Sequence, residues 1–239
     1  MLRILELGCG KGRHADYLRK KYHAEVYGVD VTESSIELAR AQYPQVKFYT
    51  MPAEKLEFEG NFFDAIYAYD VLEHVDDLEK AISEIARTIK SGGKLIVNLP
   101  HPKSEAWLGK IRPTYAAEMH HVRIMQDGEL EKVLLPLGFE LVKKRAEGFS
   151  DHVILYYLLS QKDVVADHQL GIGNWRDTWL GRIIFSLHAF SKPNLVFESW
   201  LKYVPIWLIL IPVGFLINSL GNRYLPKSCL LYTSDAADE

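Results

Sequence analysis

Apolar and polar positions follow two rhythms along the first 145 residues: short apolar runs ending at a glycine or an acid, then stretches whose apolar residues recur at helical spacing. Arg3 to Leu7 is the first run and meets Gly8. Ala15, Leu18 and Tyr22 then share one helical face, and Glu25 to Val29 reads as the next strand. Thr32 is placed to cap a helix with Ile36, Ala39 and Tyr43 on one side, and Pro44 ends it before a strand over Val46 to Thr50. Phe63 to Tyr69 is a continuous apolar and aromatic run suited to a buried parallel strand. Asp76 or Asp77 caps a helix carrying Leu78, Ile82, Ile85 and Ile89, which Ser91-Gly92-Gly93 terminates. Lys94 to Leu99 gives a fifth strand, Glu129 to Leu137 a helix closed by Gly138, and Phe139 to Arg145 a sixth strand. Regular alternation of strands and helices predicts an α/β fold built on a doubly wound, mostly parallel sheet flanked by helices.

From about His152 the alternation stops. Four of the five tryptophans (Trp175, Trp179, Trp200 and Trp207) lie beyond it. Residues 168–228 carry six basic and two acidic side chains, whereas the first 167 residues carry 22 basic and 26 acidic ones, so the basic part is also the apolar part. Val204 to Leu220 is free of charge over seventeen residues and is flanked by Lys202 and Arg223. That length sits near the lower limit of about 17 for a membrane span. Pro205, Pro212 and Gly214 would break its helix and Asn218 is polar, so a shallow insertion or a substrate-covering helix pair is expected ahead of a span or ordinary core. Flanking tryptophans and cations are what a lipid interface selects, which predicts a peripheral membrane contact through 175–223. The expected division is residues 1–150 as the α/β domain, 151–228 as an apolar helical extension, and 229–239 as a tail of different origin. That tail, CLLYTSDAADE, resembles a translated transposase sequencing adapter, so the natural chain is expected to continue past Ser228 and leading helices to precede Met1.

Composition narrows the class further. A net charge of −3 over 239 residues, with no local basic patch, argues against a nucleic-acid partner. Two cysteines, Cys9 and Cys229, are too few for a disulfide framework or a thiolate metal site, and no secretion signal precedes the first strand. A cytoplasmic location is expected, at the inner face of the membrane if the apolar segment touches lipid.

The chemistry concentrates in Leu5-Glu6-Leu7-Gly8-Cys9-Gly10-Lys11-Gly12. Three glycines at a strand end let a ligand approach the backbone closely. Their G-x-G-x-G spacing differs from the G-x-G-x-x-G of a dinucleotide pyrophosphate site, and Glu6 would repel a pyrophosphate. An acid there suits an ammonium group such as the α-amino group of S-adenosylmethionine, while the glycine amides face its carboxylate and ribose. Asp30, ending the second strand, can accept both ribose hydroxyls.

With VYGVD, PAEKLEF, FDAIYAYDVLEHVDD, SGGKLIVNLP and HHVRIMQDGELEKVLLPLGFEL added, the chain from Leu2 to about Arg145 resembles the type 11 group of class I S-adenosylmethionine-dependent methyltransferases, including ubiquinone-type O-methyltransferases. The resemblance implies a Rossmann-like fold and S-adenosylmethionine as cofactor. By position it implies cofactor contacts from Glu6, Gly8, Cys9, Gly10 and Gly12, from Asp30 and Val31 at the ribose, from Ala53 and Glu54 at the adenine edge, and from Asp70 beside the methionine part. Pro52 replaces the acid commonly found before the Ala-Glu pair, so Ala53 would contact adenine through its backbone. The family's seventh strand lies between the fifth and sixth. A chain cut at Ser228 is therefore expected to leave a gap in its sheet, which Leu230 to Thr233 of the tail, β-prone by chance, could occupy.

Methyl transfer from a sulfonium needs an aligned nucleophile and, for an acidic acceptor, a base; it requires no metal. His74, in Leu72-Glu73-His74-Val75, and His101, after Asn98-Leu99-Pro100, stand at strand ends and are the candidate bases, since histidine titrates near neutrality. Glu73-His74 has the alternative role of orienting its loop beside adenine. His120, His121 and Arg123 resemble a segment lining the acceptor side, and the histidine spacing does not spell a zinc site. The expected acceptor is hydrophobic or lipid-linked, with a small soluble metabolite under a helical lid, or a cofactor-binding module without turnover, as alternatives.

Overall fold

The computed structural model describes residues 1–111, 113–147 and 227–234. The elements, in chain order, are β1 (Arg3–Leu7), α1 (Arg13–Tyr22), β2 (Glu25–Asp30), α2 (Glu33–Gln42), β3 (Lys47–Thr50), β4 (Phe63–Tyr69), α3 (Leu78–Thr88), β5 (Ile89–Pro100), α4 (Pro102–Ile111), α5 (Tyr115–Glu118), α6 (Glu129–Leu134), β6 (Phe139–Glu147) and β7 (Lys227–Ser234). The strands form one seven-stranded sheet in the order β3-β2-β1-β4-β5-β7-β6. The pairs β1/β2, β1/β4, β2/β3 and β4/β5 are parallel.

Period-two alternation sends successive strand residues to opposite faces, and both faces are covered. Leu5, Leu7, Val29, Ile66 and Ala68 pack with Ile82 and Ile85 of α3 and with Leu130 and Leu134 of α6. Ile4, Val26, Ala65 and Tyr67 pack with Ala15 and Leu18 of α1 and with Ile36 and Ala39 of α2. Each buried aliphatic side chain contributes about 1.5–3 kcal/mol relative to exposure, so the doubly wound arrangement follows from the pattern. The chain order reverses between β1 and β4, and the carboxyl ends of strands at such a switch point form a ligand crevice.

Several boundaries differ from the sequence reading. The start of α3 does not: of the two caps expected for it, Asp77 serves, its carboxylate accepting from the Lys80 amide at 3.0 Å. The helix ends at Thr88, and Ile89 already pairs with Phe63 on β4. Because Ala65 then pairs with Lys94, residues 90–93 bulge out of register, with Gly92 at φ 70. Ser91-Gly92-Gly93 therefore interrupts a strand; it does not end a helix. Pro136 lacks an amide proton, so α6 tightens into a 3-10 turn at Leu135–Leu137 before Gly138 closes it at φ 81. The elements α4 and α5 stand where no element was expected.

The slot between β5 and β6 is filled by β7. Its Tyr232 is fully buried, and the Ser234 hydroxyl donates to the Lys90 carbonyl in the β5 bulge at 2.6 Å. Two compact units are distinguished among the described residues: Met1–Pro102, His120–Arg145 and 228–234 lie in the first, and Lys103–Met119 in the second. Within the second, Leu108 and Tyr115 pack with Trp107 and Met119, and the Tyr115 hydroxyl donates to Glu105 at 3.1 Å. The expected extension lies outside the described residues except for Lys227 and Ser228, and so does the membrane contact through 175–223. Among the described residues no helix is long and apolar enough to cross a membrane.

Candidate functional site

The turn between β1 and α1 folds over the carboxyl end of β1. The Cys9 amide donates to the Val29 carbonyl at 2.9 Å and the Cys9 carbonyl accepts from Gly12, so this residue's backbone is committed to holding the turn. Its thiol is buried, and burial together with the Glu6 and Asp30 carboxylates pushes its pKa up, which keeps it protonated and unreactive. Gly8 sits at φ 69, where a Cβ would come within 2.7 Å of Val71 Cγ2. Gly10, at φ 51, faces open space instead: a Cβ there would meet nothing within 4 Å. A ligand can therefore approach the chain at Gly10, while the flanking glycines permit the turn.

Two carboxylates stand beside this turn. Asp30 Oδ2 accepts from the Gly10 amide at 2.8 Å and Oδ1 from the Thr32 amide at 2.9 Å, so the acid at the end of β2 fixes the glycine turn and still keeps lone pairs for hydroxyl donors. Glu6 is only 3% exposed. Its Oε1 lies 2.6 Å from Nδ1 of His14, and its Oε2 has no hydrogen-bond partner among the described residues. Burial raises the Glu6 pKa, and the bond to His14 opposes that rise. A buried, half-satisfied carboxylate is a binding site for a cation, and an α-ammonium group supplies both the charge and the missing donors. The residues present therefore fit S-adenosylmethionine: Glu6 for its ammonium group, Asp30 for its ribose hydroxyls, and the open backbone at Gly10 between them.

The other expected contacts are placed as follows. Val31 is exposed just after β2. Ala53 is buried, and Glu54 Oε1 accepts from the Asp76 and Asp77 amides at 3.0 and 3.4 Å, which ties the segment after β3 to the start of α3. Asp70 ends β4 in a left-handed conformation (φ 52), its amide donating to the Asn98 carbonyl at 3.0 Å. The turn at Gly8 packs directly on the next residue, Val71.

Of the two histidines expected to act as bases, His101 is buried at the end of β5, with Nε2 3.9 Å from Asp127 Oδ2. His74 has Nδ1 2.9 Å from the His120 carbonyl, and its ring meets that of His121 edge-on at 5.0 Å. Donor atoms of Glu73, His74 and His121 all lie within 4.8 Å of one another. Residues 120–123 are strapped to the loop after β4: the Val122 amide donates to the Glu73 carbonyl at 3.0 Å, and the Arg123 guanidinium reaches the Leu72, Val75 and Asp76 carbonyls. The sequence reading missed one participant. His14 is joined to Glu6 across a strand-turn-helix, and its ring stacks on Tyr69 at 4.9 Å. His121 joins Glu73 from another loop, a pairing that linear spacing cannot display.

Comparison with known proteins agrees with this geometry. A family profile described as a methyltransferase domain matches residues 5–97. The O-methyltransferase rstn1 of Aspergillus nomiae is 36% identical over 153 residues, covering 59% of this chain and 65% of that protein. The ubiquinone biosynthesis O-methyltransferase of Bartonella quintana is 34% identical over 110 residues, covering 44% of each. The chain thus spans about half the length of the curated relatives it matches. Among solved structures, geranyl diphosphate C-methyltransferase from Streptomyces coelicolor, in complex with S-adenosyl-L-homocysteine, superposes with a TM-score of 0.61 at 13% identity, covering 99% of this chain and 74% of that one. At that identity the likeness shows the fold. Taken with the glycine turn, Glu6 and Asp30, these matches identify residues 5–97 as a methyltransferase domain of the class I S-adenosylmethionine-dependent type.

Proposed function

We propose that the chain transfers a methyl group from S-adenosylmethionine to an oxygen of a hydrophobic or lipid-linked acceptor. The observation that carries the cofactor half is Glu6, a buried carboxylate with one oxygen unpartnered among the described residues, at the switch point of the sheet. When bound, the cofactor supplies a methyl group already activated on sulfonium. The chain's own part is then to orient: Glu6 holds the ammonium group, Asp30 holds the ribose, and the acceptor is aligned at the carboxyl ends of β4 and β5. His101 takes the acceptor proton, and the Asp127 carboxylate 3.9 Å away stabilises the imidazolium so formed.

An oxygen acceptor is supported by the O-methyltransferase names of the relatives. The hydrophobic character of the acceptor is supported by the uncharged run Val204 to Leu220 with its flanking Lys202 and Arg223. The test is incubation of the full chain with methyl-labelled S-adenosylmethionine and cell extract, followed by partition between organic and aqueous phases. Label in the organic phase is expected. Label confined to the aqueous phase would contradict the hydrophobic acceptor and leave a small soluble metabolite as the substrate class.

A further inference from the structure

We infer that His14 is a positioning residue of the cofactor site: by donating from Nδ1 to one oxygen of Glu6, it leaves the other aimed at the ammonium group of S-adenosylmethionine and so sets selectivity for that group. The inference rests on the methyltransferase reading above. Glu6 and His14 lie eight residues apart, one on β1 and the other in the first turn of α1, and the glycine turn between them brings Nδ1 to 2.6 Å from Glu6 Oε1. An ionised carboxylate only accepts, so the ring nitrogen is the donor. Glu6 Oε2, buried and with no hydrogen-bond partner among the described residues, is then the oxygen left for a ligand.

The ring is itself held in place. It stacks on Tyr69 at 4.9 Å and on Tyr17 at 5.8 Å, and Tyr67 meets it edge-on at 5.9 Å. Tyr17 belongs to α1, whereas Tyr67 and Tyr69 belong to β4, so the two elements together fix where Nδ1 points. Burial pushes Glu6 toward its protonated form, and the bond from His14 opposes that push. Without the donor, Glu6 would sit buried with less to keep it ionised, and a protonated acid offers an ammonium group no charge. The residue type matters as much as its place. Histidine can donate one hydrogen bond without carrying a charge. A lysine or arginine at this position would neutralise Glu6 permanently and compete with the ligand's ammonium group, and an apolar side chain would leave both oxygens without a side-chain donor.

The experiment is calorimetric titration of two ligands, S-adenosylhomocysteine and its analogue lacking only the α-amino group, into the full wild-type chain and its His14→Phe and His14→Asn variants. His14→Phe keeps an aromatic ring among the tyrosines and removes the donor; His14→Asn removes the ring and keeps a donor near the place of Nδ1. His14→Phe is expected to bind S-adenosylhomocysteine about tenfold more weakly than the wild type, the worth of a hydrogen bond to a charged group, and to bind the analogue with unchanged affinity. His14→Asn is expected to retain most of the wild-type preference for the amino group. Wild-type affinity for S-adenosylhomocysteine in His14→Phe, an equal loss of both ligands, or an asparagine variant no better than the phenylalanine one would overturn the inference. His14→Ala, which also removes the donor from this part-exposed position, replaces the phenylalanine variant if that one fails to fold. A wild-type chain that binds neither ligand would overturn the methyltransferase reading and this inference with it, so the wild-type titrations tell the two failures apart.

Discussion

At the scale of single residues, the site places an expensive charge where a ligand needs it. Burial raises the Glu6 pKa in the folded state. For an acid this means that the fold favours the protonated form, so Glu6's contribution to stability is present below its ordinary range of about 4.3 and is lost as pH rises through the raised value. Glu6→Gln is therefore expected to raise stability at neutral pH by about 1 kcal/mol, with the gap closing on acidification. Urea unfolding of both proteins at pH 7 and pH 4 checks this. Tyr232 is a parallel case: its ring fills the sheet between β5 and β6, but its hydroxyl is buried without a partner among the described residues, and burial pushes its pKa up. Tyr232→Phe is expected to leave stability unchanged or to raise it by about 1 kcal/mol; a loss beyond that in thermal unfolding would mean that the hydroxyl is bonded. The glycines, Glu6 and Asp30 were legible in sequence because backbone freedom and charge at a strand end are local properties. His14 was not, because its role depends on how a helix sits against a strand.

At the scale of elements, strands bounded by apolar runs were read correctly, and irregularities were not. Phe63–Tyr69 and Arg3–Leu7 match the reading residue for residue. Ser91-Gly92-Gly93 carries the composition of a helix stop, and only pairing with β4 reveals the bulge. The helix α4 was missed because Pro102–Ile111 mixes Lys103, Glu105 and Lys110 with few apolar residues and shows no strong stripe. The most consequential unread contact is the Arg123 strap, which fixes the loop after β4 by three carbonyls. Hydrogen bonds to a charged group contribute about 1.5–3 kcal/mol each at most. Arg123→Ala should therefore cost about 2–4 kcal/mol and speed amide exchange selectively at 72–76 and 120–123. Uniform exchange across the sheet would contradict a local clamp.

At the scale of the whole molecule, alternating strands and helices gave the doubly wound class, and the switch point gave the place of the site. The order β5-β7-β6 also agrees with the expected slot for a seventh strand, which the β-prone run at Leu230 to Thr233 fills. What the acceptor is depends on residues whose arrangement a linear pattern does not specify. The central claim is that Glu6 and Asp30 together bind S-adenosylmethionine. Calorimetric titration of S-adenosylhomocysteine into the full chain tests it most directly, with Glu6→Gln and Asp30→Asn measured beside the wild type. One-to-one binding, weakened at least tenfold in both variants while each stays folded, is the predicted result. Absence of binding to the wild type, or equal affinity in all three proteins, would contradict it.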